Sequence, residues 1–76
     1  MVLPLNRLES GENATIVWLA SSHTTRQRLF AIGFTPGECI SCITKTSRKE
    51  MGAYLIHGTV IALRDKNAGE IFVKLT

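Results

Sequence analysis

A small, strongly bent β-barrel of five short strands, with one helix inserted between the first two, is the fold this sequence predicts. Three observations carry that reading. Runs rich in β-branched and aromatic residues recur at short intervals, a capped segment of helical spacing interrupts them once, and turns bearing glycine or proline separate them. A chain of 76 residues has room for one domain, so residues 1–76 are read as a single unit around a simple core.

The opening "PLNRLESGENA" reads as an extended lead-in that Leu5 and Leu8 pin to the core and Gly11 turns. "ATIVWLA" (14–20) is the first strand of the barrel. In "SSHTTRQRLFAIGFTPG", Thr24 and Gln27 fit a capping box, with Ser22 as the alternative cap. Leu29, Phe30 and Ile32 make the buried stripe of a short helix, while Arg26 and Arg28 lean outward. Gly33 fits the left-handed residue that ends a helix, Phe34 folds back on the last turn, and Pro36–Gly37 supply a type II turn. "ECISCITKT" is the second strand and "SRKEMG" a polar hairpin loop. Gly58 interrupts the next apolar stretch as a bulge or sharp bend, which divides it into Ala53–His57 and Thr59–Leu63. "DKNAG" makes a single turn before the closing strand "EIFVKL".

Composition narrows the function. With 45% hydrophobic and 20% charged residues the chain is too apolar for disorder. Its net charge of +3 suits an acidic partner but lacks the dense basic character of a dedicated nucleic-acid binder. No signal peptide is read at the amino terminus and no apolar run approaches membrane-spanning length, so a cytoplasmic location is expected. No phosphate-cradling loop, nucleophile elbow or His-Glu-x-x-His occurs, and the six acidic residues are scattered. An enzyme is not expected, nor is a cofactor.

Cys39 and Cys42 lie three positions apart on one strand, so alternation splays them to opposite faces, Cys42 toward the core and Cys39 near the surface. Splayed thiols close neither a disulfide nor a tetrahedral metal site, and only His23 and His57 could add nitrogen ligands. His57 reads as a half-buried or rim residue of its strand. Lys45, Arg48 and Lys49 gather at a hairpin tip, either as a solvated loop or as a contact for an acidic partner or anionic membrane. If Ile71, Val73 and Leu75 face inward, Phe72 and Lys74 face out, and Phe72 is then either a docking aromatic or a ring covered by a barrel corner or the lead-in.

"RQRLFAIGFTPGE" (26–38) and "GTVIALRDKNAGEIFV" (58–73), preceded by "LNRLESGE", resemble the FeoA family of small partners of bacterial ferrous iron transport. The matching positions are Leu29, Gly33, Pro36, Gly37, Gly58, Ala62, Leu63 and Arg64. The resemblance implies an SH3-like barrel and a cytoplasmic accessory of FeoB, the membrane iron transporter with a cytoplasmic GTPase region. It implies protein binding, no nucleic acid, and membrane association only through the partner. It leaves the docking face and the oligomeric state open. Two departures stand out: the thiols of Cys39 and Cys42, and a hairpin loop without proline.

Two rival readings remain. One is a small metal- or redox-handling protein using Cys39, Cys42 and a histidine, which stoichiometric retention of iron or zinc separates from the first. The other is a nucleic-acid-binding barrel, against which the aromatics show no interleaving with basic residues on one strand. The same barrel ends metal-dependent repressors, but no DNA-binding helix pair precedes it here, so a stand-alone repressor is not expected.

Overall fold

The structure, a computed structural model, describes residues 1–76. Its strands are β1 (Val2–Pro4), β2 (Asn13–Leu19), β3 (Cys39–Lys45), β4 (Met51–Ile56), β5 (Thr59–Arg64) and β6 (Ile71–Leu75). Helix α1 spans His23–Ala31, α2 is a single turn at Asp65–Ala68, and a 3-10 turn covers Leu5–Arg7. The strands form one antiparallel sheet in the order β1-β6-β2-β3-β4-β5. The mainly β, SH3-like class expected from the sequence holds, with a sixth strand. The extra strand is the start of the lead-in, where Val2–Pro4 pair with Phe72–Lys74. The end strands β1 and β5 do not pair with each other, so hydrogen bonding does not close the sheet and each keeps a free edge.

One core fills the inside. Leu5 and Leu8 pin the lead-in to it as expected, together with Ile16, Ile40, Tyr54, Ile56, Ile71 and Val73. Leu75 is exposed, so only Ile71 and Val73 of the closing strand face inward. No helix is long and apolar enough to cross a membrane.

Helix α1 starts earlier than the capping box implied. Ser22 is the N-cap, its backbone extended at φ −59°, ψ 161°, and its hydroxyl accepts from the Thr25 N–H at 3.4 Å. Thr24 already lies in the helix and cannot cap, because an N-cap needs non-helical backbone. At the other end Phe34 N–H donates to the Leu29 carbonyl (2.9 Å) and Gly33 N–H to Phe30 (3.1 Å), with Gly33 at φ +98°. This pair of bonds is the Schellman arrangement, and it requires a residue that tolerates positive φ. The buried stripe is narrower than expected: Leu29 is buried, whereas Phe30 and Ile32 are exposed. Of the nine helix residues only Leu29 is buried, and Phe34, just past the helix, is fully buried beside it in the chain's core. The Pro36–Gly37 turn forms as read, Glu38 N–H donating to the Thr35 carbonyl at 3.2 Å.

Gly58 marks a tighter feature than a bulge. Ile56 pairs with Thr59 across a two-residue turn in which His57 (φ +51°) and Gly58 (φ +72°) both adopt positive φ. That is the signature of the mirror-image hairpin turns that match strand twist. His57 is therefore a turn residue and is exposed, not a rim residue of a strand.

Tyr54 sits opposite Cys42 in the β3–β4 ladder, nearly fully buried. Burial, then the neighbouring Cys42 and Asp65, push its phenol up from 10.0 to about 12. The folded-state value lies above the unfolded one, so the unfolded chain loses this proton first. Its contribution to stability is complete below about pH 10 and disappears as pH rises toward 12. Urea midpoints should thus fall more steeply above about pH 10 in the wild type than in Tyr54→Phe. Parallel pH profiles for the two proteins would show that the phenol does not contribute.

Candidate docking surface

The most exposed aromatic owes its position to a bulge. Ile16 pairs with Val73 and Trp18 with Phe72, so two residues of β2 advance against one of β6, with Val17 as the extra residue. Regular alternation from Ala14 and Ile16 would have sent Trp18 into the core. The bulge reverses the phase, so that Leu19 is buried and Trp18 is 52% exposed. Its ring stacks on Phe72, with centroids 5.0 Å apart and planes inclined by 8°. Pro4 is the register partner of Phe72 on the other side, so Pro4, Phe72 and Trp18 lie in one row across β1, β6 and β2. The next row holds Val2, Lys74 and Thr15. Phe72 is thus half-buried, and the ring stacked on it is that of Trp18.

The cations named from the sequence lie elsewhere. Lys45 is the last residue of β3, and its ammonium donates to the Asn6 carbonyl at 2.6 Å, which ties the hairpin to the 3-10 turn. Arg48 and Lys49 are exposed in the following loop. There the Thr46 hydroxyl accepts from the Glu50 and Met51 N–H groups at 3.0 and 3.2 Å, and Lys49 adopts φ +59°. A threonine thus orders the loop that lacks proline. The β2–β3 ladder runs from Asn13↔Ser41 to Thr15↔Cys39, with this loop beyond its first end and Trp18 beyond its second. Lys45, Arg48 and Lys49 therefore do not share a surface row with Phe72.

Most of the motif positions have structural roles. Leu29 and Leu63 are buried, Gly33 ends α1, Pro36 and Gly37 form the turn before β3, Gly58 forms the β4–β5 turn, and Arg64 stands at the start of α2 without a side-chain cap bond. Ala62 is the exception. It is exposed on β5, opposite Ala53, and the core makes no use of it.

Cys39 is exposed and Cys42 buried, and both are free thiols. Burial is the largest influence on Cys42 and pushes its thiol up, which disfavours the nucleophilic thiolate. His57 Nε2 lies 3.1 Å from Glu38 Oε2, both side chains well exposed. No three His, Cys, Asp or Glu side chains converge as a set that could hold a metal ion.

Among curated proteins, none matches this chain. The FeoA domain family matches residues 3–75. Among solved structures, an iron uptake regulatory protein (FeoA) is 26% identical, with a TM-score of 0.88 over 100% of this chain and 99% of its own. Iron(II) transport protein A from Clostridium thermocellum is 30% identical, with a TM-score of 0.92 over 97% of this chain and 46% of its own. A manganese-dependent transcriptional repressor in complex with manganese is 16% identical, with a TM-score of 0.90 over 99% of this chain and 37% of its own, a likeness of fold alone. The family match from Leu3 to Leu75, over the same sheet and inserted helix, makes this chain a member of the FeoA domain family.

Proposed function

We propose that this protein is a cytoplasmic accessory of bacterial ferrous iron transport that binds the cytoplasmic GTPase region of the transporter FeoB and performs no catalysis. The observation that carries this reading is the family match along nearly the whole chain, residues 3–75. The names of two similar structures, an iron uptake regulatory protein and an iron(II) transport protein, point the same way. The contact chemistry comes from the half-exposed Trp18 stacked on Phe72. Large rigid aromatics on a sheet dominate many interfaces because they cover area at little entropic cost. Arg48 and Lys49 steer an acidic partner face, and Lys45 braces their loop from below. The bound module acts on the transporter through differing affinity for its conformations, and it meets the membrane only through that partner.

Titrating isotopically labelled protein with the transporter's cytoplasmic region is the test. The Trp18 indole and Phe72 signals should move, and Trp18→Ala should weaken binding at least tenfold while its spectrum stays folded. That is about 1.4 kcal/mol. Equal affinity in the variant would remove the aromatic row as the docking face. Absence of any complex would remove the functional reading itself.

A further inference from the structure

The free edge of β5 is built to take another strand. β5 pairs with β4 alone, and Ile56↔Thr59 closes their two-residue turn. Ladder bonds alternate along such a hairpin, so Thr59, Ile61 and Leu63 turn their backbone groups toward β4. The bond from Asp65 N–H to the Glu50 carbonyl, 2.8 Å, continues the same parity. The N–H and C=O groups of Val60 and Ala62 therefore point to the open edge. The other edge strand, β1, spans only three residues and contains Pro4, which blunts it. β5 runs for six residues with no proline, and its only charge is the terminal Arg64.

The side chains say what kind of strand fits. Val60 is 59% exposed, and Ala62 lies beside Ala53 and Gly52 as the floor of an apolar trough of about 220 Å³. A residue placed opposite Ala62 has room for a large aliphatic side chain over that trough, and one opposite Val60 packs on it as a cross-strand pair. At the Arg64 end the surface is cationic, because Arg48, Arg64 and Lys66 outnumber Glu50 and Asp65. A second copy of this chain fits less well. Pairing one six-residue strand with another falls short of the roughly 1,200–2,000 Å² of a stable interface, and each copy carries a net charge of +3.

We propose that the β5 edge binds an extended segment of a partner protein as an antiparallel seventh strand. The segment reads acid–x–aliphatic–x–aliphatic, its acid beside Arg64 and its aliphatics opposite Ala62 and Val60. This surface is independent of the Trp18–Phe72 row and of the identity of the transporter partner.

The probe is the peptide acetyl-Ser-Asp-Thr-Leu-Thr-Val-Thr-amide, added at about 1 mM to the labelled full chain. Amide exchange at Val60 and Ala62 should slow at least tenfold, and exchanging Asp for Lys in the peptide should abolish the effect. Ala62→Pro removes an outward N–H and no β4 bond, so it should lose the peptide while keeping its β4–β5 cross-strand contacts. If that variant does not fold, Ala62→Asp, which places like charge beside the acidic head, should weaken the peptide at least tenfold. The inference is overturned if both amides exchange at the free rate with peptide present, or if the peptide perturbs only Trp18 and Phe72. It is equally overturned if Val60 and Ala62 are already protected in the free protein in a concentration-dependent way, which would seat a second copy there.

Discussion

Phe34→Ala is expected to destabilise the fold by about 3–5 kcal/mol, the largest loss from any single truncation near α1. The ring is fully buried, directly after the glycine that ends α1, and its backbone N–H closes the helix onto Leu29. Truncation leaves a cavity beneath a helix that otherwise buries little more than Leu29. A domain of this length holds roughly 4–11 kcal/mol in total, so the variant loses a large part of it. Its Tm should fall by more than about 10 °C. A urea midpoint close to wild type would mean that α1 is seated by something other than this ring.

Gly33→Val comes second, at about 1–3 kcal/mol. Two separate effects add. The backbone at φ +98° disfavours a β-branched residue by roughly 1–2 kcal/mol. A Cβ there would also stand 2.6 Å from Cδ2 of His57 and 3.1 Å from its Nε2. The imidazole is exposed enough to swing away, and in doing so gives up its contact with Glu38, a surface pair worth no more than about 1 kcal/mol. A double-mutant cycle separates the parts: in a His57→Ala background the steric share disappears and the backbone share stays. If His57→Ala erased the whole penalty, the helix end would not depend on positive φ.

The helix end was legible in the sequence because Gly33, Phe34 and the Thr35-Pro36-Gly37 turn are local chemistry, decided by residues next to one another. The lead-in anchors Leu5 and Leu8, the splay of Cys39 and Cys42, and the single turn after Arg64 were legible for the same reason. What the sequence hid depends on distant pairing. Val2–Pro4 count as a strand only because β6 lies alongside. The exposure of Trp18 follows from a one-residue mismatch between β2 and β6 that no pattern within "ATIVWLA" discloses. Lys45 looked like a loop cation until the Asn6 carbonyl, far away in the chain, was placed beside it. His57 was misplaced by apolar neighbours on both sides, although His-Gly, with glycine second, is itself a turn signal. Among the docking candidates, Phe72 was read from alternation alone, and its partner Trp18 needed the bulge.

The bulge at Val17 also decides how this molecule can be watched. Trp18 is the chain's one tryptophan, and it stands half in solvent while the core is lit only by Tyr54. Its emission should therefore shift less when the chain melts than that of an indole buried in the core. A binding partner that covers the indole drives the emission to the blue, and unfolding moves it to the red, so a single intrinsic fluorophore tells capture from melting by the direction of its shift.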